Sequence, residues 1–223
     1  MTGFSLFRPF LDFLFPPRCP LCHAYVAAQG DWCPACLKQA GDPHKIVLPA
    51  AMSGLIRSAW ALGIYRGGLR QLVHQLKYKK RHGVRPYIDT FLKHTLQDQR
   101  VRLPDDLDAA VAVPLHPAKE KERGFNQVEC IFSGAMAARH LPLEPLLVRQ
   151  LPTKPLYALS WRERKLSLQH AFALPPDAEV EGRHILLLDD IMTTGTTLTM
   201  CAKVLHQGGA ASVDALVLAS DHA

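Results

Sequence analysis

No stretch of this sequence stays apolar long enough to cross a bilayer. The nearest candidate, FSLFRPFLDFLFPPRC close to the N-terminus, is broken by Arg8, Pro9 and Asp12, whereas a spanning helix needs about 20 apolar residues. The same segment lacks the unbroken apolar core and small-residue cleavage site of a secretory signal. A short amphipathic helix packed on the fold is expected there, with transient peripheral membrane contact as the alternative and the cytoplasm as the compartment. Internal repeats and low-complexity tracts are also missing. No Gly-Lys-Ser/Thr is present to build a nucleotide P-loop, and no loop carries the three glycines of a dinucleotide fingerprint. Acid is missing locally. Residues 65–86 hold seven Lys/Arg (Arg66, Arg70, Lys77, Lys79, Lys80, Arg81, Arg85) and no Asp or Glu.

What remains is an ordinary globular composition, 48% hydrophobic and 21% charged over 223 residues. That length suits one main domain and a small appendage. A net charge of +6 and a pI of about 9.1 favour anionic ligands without requiring nucleic acid. In the acid-free strip, Lys77, Lys79, Lys80 and Arg81 with Tyr78 interleaved are candidates for single-stranded DNA contact. A solvated helix face explains the same charges.

Four of the six cysteines are patterned: Cys19-Pro-Leu-Cys22, ten residues, then Cys33-Pro-Ala-Cys36. Four thiolates complete a tetrahedral Zn²⁺ shell and leave no open position, so the expected site is structural. A redox C-x-x-C usually comes singly, and a disulfide pair needs an oxidising compartment. His23 and His44 are further potential ligands that a full thiolate shell does not need. Cys130 and Cys201 fall on apolar helical faces and read as buried thiols.

The segment HILLLDDIMTTGTTLTM carries the most chemistry. The apolar run at residues 185–188 suits a strand buried on both faces. Leu198, Cys201, Ala202 and Leu205 then recur at helical spacing, with Gly208 and Gly209 to end the helix. Residues 213–219 form another buried strand. Strand, loop, helix and strand make a βαβ unit, in which ligands sit at the carboxyl ends of strands. The helix N-terminus suits a phosphate, with hydroxyls from Thr193, Thr194, Thr196 and Thr197 and a close backbone approach at Gly195. Asp189 and Asp190 fit ribose hydroxyls or a divalent cation. They also fit a helix N-cap, and threonines are common in turns.

Elsewhere, Leu69, Leu72, Val73 and Leu76 define one helix face, and Ile88, Phe91, Leu92 and Leu96 define another. AAVAVPLHP is a buried strand ending in a tight turn. Asn126 and Glu129 open a third helix with Val128, Ile131, Phe132, Ala135 and Met136 inward. EPLLVRQ reads as a strand, and residues 151–172 as a long basic loop leading into a helical segment.

LLLDDIMTTGTT resembles the phosphoribosyl pyrophosphate (PRPP) loop of type I phosphoribosyltransferases. VPLHPAKEKERGFNQ, TKPLYALSWRER and that loop, in order after a double C-x-x-C, resemble the ComF family of bacterial competence proteins (ComFC/GntX type) over most of the chain. The resemblance implies an α/β fold, a parallel sheet with helices on both faces of the phosphoribosyltransferase type, preceded by a small zinc-knuckle module. The boundary is expected at 1–50 for the N-terminal segment, module and linker, and 51–223 for the α/β domain. It implies that Asp189 and Asp190, the candidate catalytic pair, hold the ribose hydroxyls, and that residues 193–197 hold the 5′-phosphate. Leu115, His116, Lys119 and Arg123 would face the pyrophosphate, with Mg²⁺ accompanying PRPP, and residues 153–164 would form a lid. Relatives often carry Gln and Asn where this chain has Leu156 and Ser167. The implied role is DNA uptake or utilisation, as a PRPP-dependent transferase. The alternative is a non-catalytic module that senses PRPP or handles single-stranded DNA beside the uptake machinery.

Overall fold

The computed structural model describes residues 15–78, 82–150 and 171–221. In chain order these form α1 (Pro34–Ala40), β1 (His44–Lys45), β2 (Ala59–Ala61), α2 (Gly67–Tyr78), a 3₁₀ turn (His82–Val84), α3 (Arg85–Leu96), β3 (Ala109–Ala112), α4 (Pro117–Arg123), α5 (Gln127–Ala137), β4 (Val148–Arg149), β5 (Phe172–Ala173), β6 (His184–Met192), α6 (Thr196–Gln207) and β7 (Ser212–Ser220). The main sheet runs β1-β2-β7-β6-β3, parallel throughout except for β1 at its edge. β4 and β5 pair separately as a short antiparallel ribbon.

The central strands have apolar side chains on both faces because both faces are covered. Leu186 and Leu188 point to one side with Leu216 and Leu218, against α2, α3 and α5. Ile185 and Leu187 point to the other with Ala215 and Val217, against α6. The expected helix faces are the buried ones: Leu69, Leu72, Val73 and Leu76 on α2, Ile88, Phe91 and Leu92 on α3, and Leu198, Cys201, Ala202 and Leu205 on α6. α6 ends through Gly209, which takes the left-handed conformation at φ 90° while Ala210 N–H bonds back to Leu205.

One segment differs from expectation. The linker expected at the end of 1–50 supplies β1 to the sheet and the core residue Ile46, and Met52 just beyond it is also buried. A two-residue strand has no periodicity to detect. β1 therefore belongs to the main sheet although it precedes residue 50. The polar KEKER segment forms α4, started by Pro117 and stopped by Gly124 at φ 86°.

At the amino-terminal end of the sheet, fully buried Asp214 accepts from Arg57 Nε at 2.9 Å and Ser58 Oγ at 2.6 Å. Arg57 also pairs with Asp106, joining β2, β7 and the segment before β3. The opposite end is left for ligand chemistry.

Candidate functional site

β6 runs four residues beyond Leu188, to Met192, and carries both carboxylates within it. Asp189 is 9% and Asp190 5% exposed, so they form the floor of the site. Their surroundings differ. Asp190 Oδ2 receives Lys77 Nζ at 2.7 Å and Gln127 Nε2 at 3.1 Å. Gln127 is oriented in turn by Arg123 Nη1, which donates to its Oε1 at 2.7 Å. Asp189 Oδ1 accepts only the backbone N–H of Asp190, at 2.8 Å. Burial, reinforced by the negative charge of Asp190, pushes the Asp189 carboxyl up to about 8, against the pull of that N–H, Lys77 and Arg149. Among the described residues, Asp190 Oδ1 and Asp189 Oδ2 take no hydrogen bond.

The threonine loop lies next to this floor. Thr193, Thr194 and Thr196 are exposed, and Thr194 Oγ1 is 2.9 Å from Thr196 Oγ1. The N-cap of α6 is Gly195, at φ 72°, with no side-chain cap hydrogen bond. Neither aspartate caps α6, which removes the capping explanation for the pair. The first turn of this 12-residue helix thus has backbone N–H groups that no side chain caps, beside the exposed Thr194 and Thr196 hydroxyls, the groups an anion site uses. Gly195 is needed for a reason the sequence does not reveal. A Cβ there would strike the buried Met52 Sδ, and the positive φ is itself unfavourable for other residues.

The other predicted residues divide. Arg123 reaches Asp190 through Gln127. His116 Nδ1 caps α4 by accepting from Ala118 N–H at 3.2 Å, Lys119 is exposed on α4, and Leu115 is half-buried. No contact joins these three to the aspartates among the described residues. Asn126 caps α5, accepting from Val128 N–H at 2.9 Å, and its amide also donates to Val113 C=O. Lys77, placed by sequence in the solvent-facing strip, is turned onto Asp190. Lys79, Lys80, Arg81 and the expected lid at 153–164 lie outside the described residues. Gln127, Lys77 and Arg149 are the site residues that pattern reading misses. The positive charge of Arg149, on β4, favours the Asp189 carboxylate, and its guanidinium stacks over Phe172, 5.3 Å from the ring centre.

The four patterned cysteines converge, their sulfurs all within 4.8 Å of one another. Cys22 and Cys33 are 3.6 Å apart, close to the edge of about 3.8 Å that a tetrahedron of Zn–S bonds of ~2.3 Å would have. Cys33 Sγ also caps α1 by accepting from Cys36 N–H. The donor set fits zinc. Among the described residues, no helix is long and apolar enough to cross a membrane.

Residues 10–45 match the double zinc ribbon domain family, and residues 141–223 match the phosphoribosyl transferase domain family. The chain is 30% identical over 204 residues to the DNA utilization protein YhgH of Escherichia coli, covering 87% of this chain and 86% of that protein. It is 25% identical over 209 residues to Competence protein F of Haemophilus influenzae, covering 91% of this chain and 84% of that one. A solved structure of adenine phosphoribosyltransferase from Leishmania tarentolae aligns with a TM-score of 0.39 at 12% identity, over 80% of this chain and 95% of that one.

Proposed function

The chain belongs to the ComF family, and on that premise we propose that it binds PRPP, with Mg²⁺, as a phosphoribosyltransferase-type protein of DNA uptake or utilisation in the bacterial cytoplasm. The observation that carries this reading is the floor of the site. Two buried carboxyl groups, each with one oxygen open, adjoin a helix N-terminus that no side chain caps. This combination of groups suits a sugar bearing vicinal hydroxyls and a phosphate.

In this reading Asp189 and Asp190 hold the 2′ and 3′ hydroxyls, and the N–H and hydroxyl groups of residues 193–197 hold the 5′-phosphate. An acceptor nucleophile attacks the anomeric carbon as its bond to pyrophosphate breaks. The ring gains oxocarbenium character, and negative charge passes to the departing pyrophosphate. Mg²⁺ accompanying PRPP would supply charge neutralisation there. Arg123, Lys119 and His116 are the chain's candidates for the same anion. Zn²⁺ on Cys19, Cys22, Cys33 and Cys36 is structural.

The test is calorimetric titration with PRPP and Mg²⁺, followed by pyrophosphate release against a panel of acceptors. The Asp189→Asn/Asp190→Asn double variant should stay folded, because Asn still accepts from Lys77, Gln127 and the Asp190 N–H. Hydrogen bonds to charged groups are worth roughly 1.5–3 kcal/mol each, so affinity should fall at least about tenfold. Wild-type affinity in that folded variant refutes the reading. Binding without pyrophosphate release under any acceptor favours the second reading, a PRPP sensor that handles single-stranded DNA, which draws on the acid-free strip.

A further inference from the structure

Adjacent carboxylates at the end of a strand, beside an anion site, are the usual equipment for holding a divalent cation. In this protein that position is already taken by a side chain. Lys77 Nζ lies 2.7 Å from Asp190 Oδ2, and Gln127 Nε2 donates to the same oxygen at 3.1 Å. The ammonium is not a wandering surface charge. It sits near the C-terminus of α2, whose face Leu69, Leu72, Val73 and Leu76 is locked into the core, and its side chain is only 19% exposed. Gln127 is held from behind by Arg123. A Mg²⁺ ion ligated by Asp190 would have to displace a donor from Oδ2, or use Oδ1 and sit against a fixed positive charge on the same carboxylate.

We propose that Lys77 is the resident counter-cation of the carboxylate pair, keeping divalent metal off Asp190 and leaving the outward oxygens of both aspartates for ligand hydroxyls. The hydroxyl part rests on the PRPP reading; the exclusion of metal does not. Metal then reaches the site only on the ligand's own pyrophosphate. Lys77 is a positioning residue, and the basic strip that contains it is split between this inward residue and the exposed Arg66 and Arg70.

The experiment uses Mn²⁺ alone, without PRPP, on the full zinc-loaded chain, followed by electron paramagnetic resonance and by thermal melts. Wild-type protein should take up no Mn²⁺ at the carboxylate pair below about 1 mM, the range of weak oxygen sites. Lys77→Met keeps the buried stem and removes the charge, and should bind Mn²⁺ at least tenfold more tightly. Adding Asp190→Asn to that variant should abolish the gain. Mn²⁺ should raise the melting temperature of Lys77→Met and not of wild type. If Lys77→Met folds only with Mn²⁺ present, the proposal is supported. If it folds and binds Mn²⁺ no better than wild type, or stays unfolded with Mn²⁺, Lys77 is merely one half of an ion pair. Submillimolar Mn²⁺ binding by wild type that Asp190→Asn removes also overturns it. Because PRPP is absent, none of these outcomes depends on the PRPP titration.

Discussion

Asp189 and Asp190 are neighbours of the same chemical type placed in unlike surroundings. Asp190 has Lys77 and Gln127, while Asp189 has a single backbone N–H and deep burial. The consequence for stability has a definite sign. With its carboxyl raised to about 8, native Asp189 keeps a proton that the unfolded chain loses near pH 4. Between those values the native state binds more protons, so stability from this group is full below pH 4 and is lost as pH rises toward about 8. Asp189→Asn should remove that slope. The variant and wild type should melt alike near pH 4, and the variant should melt higher at pH 8.5. Parallel melting curves across that range would mean that Asp189 ionises freely in the ligand-free protein. Ligand hydroxyls that stabilise the carboxylate should reduce the penalty.

The cysteine module is an element with its own ligand and a shared core. Trp32 donates to Tyr87 C=O at 2.8 Å and packs on Phe91, with ring centres 5.9 Å apart. Tyr87 in turn donates to Arg18 C=O at 3.2 Å. A side chain at Gly30 would meet Pro86, and one at Gly68 would meet Leu21, so the module is seated closely on α2 and α3. A structural zinc site contributes on the order of 10 kcal/mol to a small module. Cys19→Ser should reduce zinc below one ion per chain. In hydrogen exchange, residues 15–40 should lose protection and α3 should exchange at least about tenfold faster, while β6 and β7 keep theirs. Full zinc content in the variant would disprove the ligand assignment. Unchanged exchange in α3 would show that the module rests on the helix without supporting it.

For the whole molecule, charge and topology divide the labour. The carboxyl ends of the parallel strands hold the candidate site, and Arg57, Asp106 and Asp214 bind the opposite end together. The positive charge of residues 65–86 includes exposed Arg66 and Arg70 on α2. Single-stranded DNA should bind weakly and reversibly with salt. Replacing Lys79, Lys80 and Arg81 by Glu, with Lys77 left in place, should weaken binding and lower the slope of log affinity against log salt by about 2, at ~0.7 per released counterion. Equal affinity in the triple variant, measured by fluorescence anisotropy at two salt concentrations, would identify the strip as a solvated face.

The sequence by itself determined what depends on near neighbours along the chain. The run at residues 185–188 is long enough only for a buried strand. The spacing of Leu198, Cys201, Ala202 and Leu205 gives one helical face, Gly209 can turn left-handed, and two C-x-x-C pairs suit one tetrahedral ion. Cys19 to Cys36, β6, α6 and β7 were legible for that reason. Tertiary structure decided what depends on residues far apart in the chain. A lysine in a basic run reads the same whether it faces water or Asp190, 113 positions away. Gln127 looks like an ordinary first-turn helix residue until β6 brings Asp190 beside it, and β1 has too few residues to show any pattern. Gly195 reads as a phosphate-loop glycine, yet it also has a packing constraint from Met52, far away in the chain. Periodicity reports which side of an element faces inward, because backbone geometry repeats locally. Which charge a buried carboxylate meets there depends on how the elements pack, and local repetition carries no record of that.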